Sequence, residues 1–355
     1  MPGGGRPLVP RWARRLSVTG YVLVLMAVVA DIVAGTHVTF SPLLAALPVL
    51  ASTGTRRVAV PLTAGIVAGI VLIALVFYDV NVPSSVLATA AATIVAVTFF
   101  SCTSVIVVAT QEQELARVHT VAEAAQRALL RPVPRRIGPL AMAVRYVAAE
   151  AEARIGGDLY EAIPTPYGVR LIVGDVRGKG LTAVETACDV LGVFREAARA
   201  EPDLAEVARR LDSAIARCPT SEEFVTAVLV SVPDAPGPAV MVNCGHPPPL
   251  LCHADEFREV PPPVTAPPLG LRGLCGGEYR ASPLPFASGD LLLLYTDGVA
   301  EARDAANRFY PLVPRMATLQ PRDPDALLDD LLLDVRAYVG SGLKDDAALL
   351  AVRRE

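Results

Sequence analysis

No two of the six cysteines, Cys102, Cys188, Cys218, Cys244, Cys252 and Cys275, stand at CxxC spacing, and Cys102 lies inside an apolar run. That excludes a zinc ribbon and reads as reduced packing residues in a cytosolic setting rather than a disulfide framework. No basic block exceeds a short Arg pair and the net charge is -4, so the electrostatic footprint of a nucleic-acid binder is missing. Charge of either sign is scarce, 19% of residues against 52% hydrophobic. Such a balance is too apolar for an ordinary soluble protein and places part of the chain in lipid. Its 355 residues leave room for a sizeable core and more than one domain.

What is present is unevenly spread. Four apolar stretches, 17–36, 38–54, 58–78 and 85–109, occupy the front of the chain. Three approach or exceed the ~20 residues that a helix needs to cross the hydrocarbon core. The second, "HVTFSPLLAALPVLAST", is short and holds two prolines, so a re-entrant segment is its alternative. Arg6, Arg11, Arg14 and Arg15 precede the first stretch, Arg56 and Arg57 separate the second from the third, and the other two connections carry no Lys or Arg. The positive-inside rule then predicts four crossings, with the amino terminus, the 56–57 loop and everything after residue 110 in the cytoplasm. A signal peptide is the competing reading of the first stretch, but no small-residue cleavage site leads into a soluble domain. Asp31 and Asp79 fall near the predicted outer ends of their stretches, where solvation explains them better than an ion path.

From Ala109 the text changes. Leu115, Val118, Val121, Ala122, Ala125 and Leu129 recur at helical spacing until Pro132 and Pro134 stop the pattern. This is a linker helix, either a spacer or a dimerising seam that would make the chain a homodimer. Three regions follow: a transmembrane domain over 1–109, the linker over 110–134 and a catalytic domain over 135–355.

In that last region short β-like runs such as "GVRLIVGDV", "FVTAVLVSV", "DLLLLYTDG" and "DDAALLAVRR" follow one another, with helical stretches at 181–200, 203–217 and 323–340. Strands bunched with strands predict an α+β fold, an antiparallel β-sandwich flanked by helices, rather than a doubly wound sheet. Several strands begin or end at an acidic residue: Asp158 in "IGGDLYE", Asp175 in "VGDVRGKG", Asp297 in "LLLLYTDG", and the pair Asp345-Asp346. Any one Asp-Gly pair is more often a turn. Four carboxylates at the mouths of buried strands are costly unless they meet a cation, and an oxygen-only ligand set favours Mg²⁺ or Mn²⁺.

Read alone, "RIGGDLYE" also suggests the Gly-Gly-Asp hairpin of a diguanylate cyclase, but there Glu and Phe follow the Asp, and here Leu159 and Tyr160 do. Over roughly 129–353 the ordered set "LLRPVP", "RYVAA", "GGDLYE", "GDVRGKGLTAVETA", "FVTAVLV", "NCGHPPPLL", "PPLGL", "GDLLLLYTDGVAEAR" and "DDAALLAVRR" resembles the metal-dependent PPM (protein phosphatase 2C-like) serine/threonine phosphatases, in particular the bacterial branch named after the stage II sporulation protein E, SpoIIE.

The resemblance implies a PPM-like sandwich and two metal ions, Mn²⁺ or Mg²⁺. Asp175 bridges them, the Val176 carbonyl serves the second, Asp297 and Asp345 complete the first, and Asp158 holds metal-bound water. It implies hydrolysis of phosphoserine or phosphothreonine on a protein, with an anti-anti-sigma factor as the family's suggested substrate. Glu161 stands where the family usually has Asp, Cys244 where it usually has Ala. His246 tempts toward acid chemistry, but the family gives its segment no ligand, so a structural loop is expected. Arg154 reads as a surface residue or a phosphate contact, Lys179 as solvated. Two other classes compete with a membrane-anchored phosphatase: a degenerate phosphoprotein-binding membrane receptor, and a transporter with a regulatory tail. Four retained carboxylates, which repel one another without metal, argue against the first, and apolar stretches whose polar residues are only Ser, Thr and the two end-placed aspartates argue against the second.

Overall fold

The computed structural model describes residues 21, 22, 24–26, 29, 41–78, 83–148, 156–217, 223–235, 237–319, 323–340 and 342–355. The chain divides into two compact units, residues 1–117 and 118–355.

In the first unit a 3-10 turn, Ser41–Ala45, runs into helix α1, Ala46–Ser52, followed by α2, Ala59–Tyr78; the long α3, Ser84–Leu129, begins in this unit and ends in the second. Val24, Leu44, Ala45, Ala68, Leu72, Ala90 and Ile94 form a small core. The outward face is also apolar: Ile66, Ile70, Ile73 and Phe77 of α2 and Val95, Phe99 and Phe100 of α3 are exposed, an arrangement that needs a non-aqueous neighbour. Among the described residues one helix, Ser84–Glu114, is long and apolar enough to cross a membrane; Leu43–Ser52 and Ala59–Leu75 are shorter apolar helices. The expected four-helix transmembrane domain is therefore not recovered. The second stretch fails because its prolines permit only a 3-10 turn and a seven-residue helix. The first stretch, with Asp31, lies largely outside the described residues, as do Asp79, Arg154 and the side chains of 115–129 that carry the linker seam.

The second unit is the predicted antiparallel sandwich. One sheet has six strands in the order β1-β2-β11-β10-β7-β8: Arg136–Ile137, Leu140–Val147, Ala347–Arg354, Leu291–Tyr295, Leu250–His253 and Glu256–Glu259. The other has five, β3-β4-β5-β6-β9: Leu159–Thr165, Gly168–Val176, Val225–Val232, Ala239–Cys244 and Ser282–Leu284. Successive strand residues point to opposite faces, so each strand serves two cores. Leu292, Leu294, Leu350 and Val352 face the opposite sheet, while Leu291, Leu293, Leu349 and Ala351 face the helix Pro324–Val339. The five-stranded sheet is covered outside by α4, Leu181–Ala200, and α5, Leu204–Ile215. β4 and β5 are thus buried on both faces, which is why they read as unbroken apolar runs. Asp203 caps α5 by accepting from the Ala205 amide, and buried Leu204, Val207, Ala208, Leu211 and Ile215 give that helix its apolar stripe.

Candidate metal centre

Register brings the acidic residues to one end of the sandwich. Asp175, next to last in β4, lies opposite Thr226 of β5. Leu159 pairs with Gly174, which sets Asp158 beside Asp175. Asp297 follows β10, and Asp345-Asp346 precede β11, the neighbour of β10. Both sheets therefore supply carboxylates to the same place. A side chain at Gly157 would collide with the Val176 backbone, so the Gly-Gly sequence is what lets Asp158 approach β4.

The electrostatics follow. Burial, then the charge of Asp175, holds the Asp158 carboxyl well above the usual carboxylate range, although the Thr296 hydroxyl donates to it at 2.9 Å. Asp175 is pushed up to about 7 by burial and by Asp297 and Asp345. Asp297 is raised by burial, then by Asp345 and Glu301. Mutually repelling, half-buried carboxylates are what a divalent cation relieves, and the donors are all oxygen, so the set fits Mg²⁺ or Mn²⁺. Among the described residues no three acidic, His or Cys side chains already stand around a common point. Asp345 is engaged by Lys179, whose Nζ lies 2.8 Å from its Oδ1. Lys179 is thus an ion-pair partner and not merely solvated. Asp346 is buried, accepts from the Tyr146 hydroxyl at 2.8 Å and adds to the field on Asp158.

A family model described as Stage II sporulation protein E (SpoIIE) matches residues 165–355, more than half of the chain. The chain belongs to the SpoIIE family. Phosphoserine phosphatase RsbP of Bacillus subtilis is 27% identical over 158 residues, covering 42% of this chain and 38% of RsbP. The RsbU and RsbW domains of Rv1364c from Mycobacterium tuberculosis are 29% identical, with a TM-score of 0.54 over 63% of this chain and 61% of that one. The chain thus spans less than two thirds of either relative. The SiaA-PP2C domain of Pseudomonas aeruginosa, 19% identical, shares the fold with a TM-score of 0.58 over 70% of this chain and 99% of that domain.

Other residues of this SpoIIE-family chain sort by contact. His246 is buried and held as a strut: its Nε2 donates to the Tyr295 carbonyl at 3.1 Å, which leaves Nδ1 to accept from the Thr226 hydroxyl at 3.0 Å. Asn243 closes the same loop through two hydrogen bonds to the His246 backbone. Burial lowers the imidazole pKa to about 4, so it is neutral near pH 7 and no general acid. The strut joins β5, beside Asp175, to the end of β10, beside Asp297. Glu161 faces α4, where Arg195 pairs with it at 2.6 Å, and not the aspartates. Gly178 and Gly180 take φ of 121° and 91°, a backbone conformation that favours glycine. Sequence reasoning missed Thr296 and Tyr146 as neighbours of the acidic residues, and saw Asp346 only as half of the Asp-Asp pair.

Proposed function

We propose that this chain is a membrane-anchored, metal-dependent phosphatase that removes phosphate from phosphoserine or phosphothreonine on a cytoplasmic regulatory protein, an anti-anti-sigma factor. The observation that carries the reading is the convergence of Asp158, Asp175, Asp297 and Asp345 from both sheets, in a chain of the SpoIIE family. The activity printed in the name of RsbP supports phosphoserine as the substrate class.

Asp175, Asp297 and Asp345 would hold one ion, and Asp175 with the Val176 carbonyl a second. Bound there, two such ions supply Lewis acidity toward water and the phosphoryl oxygens. Asp158, fixed by Thr296, orients the attacking water. Neutral His246 keeps the two sheets at a constant spacing. No side chain need act as nucleophile. The anchor is the apolar helix Ser84–Glu114. Arg56 pairs with Glu112 at 2.6 Å, which supports a topology with the 56–57 loop and the segment beyond residue 110 on one side, the cytoplasmic one. In membranes holding the full chain, Mn²⁺ should drive phosphate release from a phosphoserine peptide, chelation should stop it, and Asp175→Asn should lower it at least about a hundredfold, about 2.7 kcal/mol of barrier. A loss under about tenfold would sink the metal assignment.

A further inference from the structure

A cavity of about 300 Å³ opens beside the aspartate cluster, lined by Glu301, Arg303, Asn307 and Lys344 over an apolar floor of Val339 and Leu343. It shares Gly298 and Asp345 with the candidate centre, so whatever enters it lies next to the reacting phosphate. Its charges are uncommitted. The side chains of Glu301, Arg303 and Lys344 have no ion pair or hydrogen bond among the described residues, whereas Arg308 and Arg315 nearby are each held by an aspartate.

The wall carrying Arg303 is built in advance of any ligand. The Tyr310 amide donates to the Ala302 carbonyl at 2.7 Å, closing a hairpin whose turn is fixed by Asp304, which accepts from the Ala306 and Arg308 amides at 2.9 Å each. The hairpin is tied to the helix Pro324–Val339 by the Tyr310 hydroxyl on Asp334 at 2.6 Å and by the Tyr338 hydroxyl on the Phe309 carbonyl at 3.1 Å. Arg303 itself sits over the Phe309 ring, its Cζ 3.9 Å from the centroid. A guanidinium stacked in this way keeps its N–H edge free, and that edge suits a carboxylate in a bidentate contact.

We propose that this cavity is a substrate subsite that takes an acidic side chain flanking the phosphorylated residue, with Arg303 as its specific contact and Lys344 as a second cation. Of the two carboxylates in the lining, Asp345 is paired with Lys179, so Arg303 and Lys344 stand against Glu301 alone and give the pocket its preference, and the pinned hairpin reduces the ordering cost of binding. The inference rests on the phosphatase reading for turnover, but not for binding.

The test uses the full chain in detergent with Mn²⁺ and two phosphoserine peptides that differ only in carrying Glu or Lys on both flanks. The ratio of kcat/KM, acidic over basic, should be about tenfold or more in the parent, the equivalent of about 1.4 kcal/mol. It should fall to one or below in Arg303→Glu and stay high in Arg303→Lys. A ratio taken within one variant cancels any general loss of activity, and Lys344→Glu, which should also lower it, covers the case in which Arg303→Glu does not fold. A parent ratio near one, or one unchanged in both Glu variants, overturns the subsite. If the parent releases phosphate from neither peptide, hydrolysis falls, and the subsite stands or falls on the same ratio in anisotropy titrations of the labelled peptides.

Discussion

Lys179→Met removes a cation from the candidate metal centre while keeping the aliphatic stem. In the structure the ammonium pairs with Asp345 at 2.8 Å, and the two side chains are 40% and 51% exposed. An ion pair so open to water is worth about 0.2–1 kcal/mol, and a metal that recruits Asp345 must first break it. At 1.4 kcal/mol per decade, freeing Asp345 should tighten Mn²⁺ binding by about 1.4- to 5-fold. The gain should shrink as salt rises, because exposed charges are screened. The measurement is a Mn²⁺ titration of the full chain followed by the electron paramagnetic resonance of the free ion, at low and at high ionic strength. If Lys179→Met binds Mn²⁺ no more tightly than the parent at low salt, Asp345 is not a ligand held in reserve by Lys179, and the reasoning fails.

Two further predictions concern stability. His246 is held neutral, its pKa lowered to about 4 by burial against 6.5 in the unfolded chain. Its contribution is therefore complete above pH 6.5 and is lost as pH falls toward 4, by about 3 kcal/mol over that window. The raised carboxyls of Asp158 and Asp175 act in the opposite sense in metal-free protein. Urea midpoints of parent and His246→Gln should thus be compared with each other at pH 7.5 and 4.5; a gap that does not narrow at the lower pH would count against a buried neutral imidazole. Asp212 is buried and accepts from the Gly270 amide at 2.8 Å, the Tyr279 hydroxyl at 3.0 Å and Arg272 Nε at 3.2 Å. Asp212→Ala leaves the half-buried Gly270 amide without its acceptor and the Tyr279 hydroxyl with only its 3.3 Å bond to the Pro268 carbonyl, at about 2 kcal/mol, so the calorimetric Tm should drop by roughly 4–8 °C. A drop under about 2 °C would mean that apolar packing alone holds the 266–280 segment.

Local periodicity made most of the second unit legible. β4, β5, β10 and β11 are buried runs whose apolar content states their burial, and the helix predicted over 181–200 occurs as Leu181–Ala200. Asp158, Asp175 and Asp297 were legible too, because a carboxylate where a buried strand begins or ends conflicts with its surroundings within a few residues. The first unit was read less well, since hydropathy counts apolar residues without telling a helix long enough to span a membrane from a short one broken by Pro42 and Pro48. What surrounds the aspartates was set by register between distant strands. Tyr146 meets Asp346 across 200 positions, Lys179 meets Asp345 across 166, and Thr296 meets Asp158 across 138. No local pattern encodes such pairs: the first follows from the pairing of β2 with β11 within one sheet, and the other two arise when the two sheets pack face to face and their ends align. His246 was expected in a structural loop and is held in one; what the sequence could not state is the burial, created by the closed sandwich, that makes it a neutral strut.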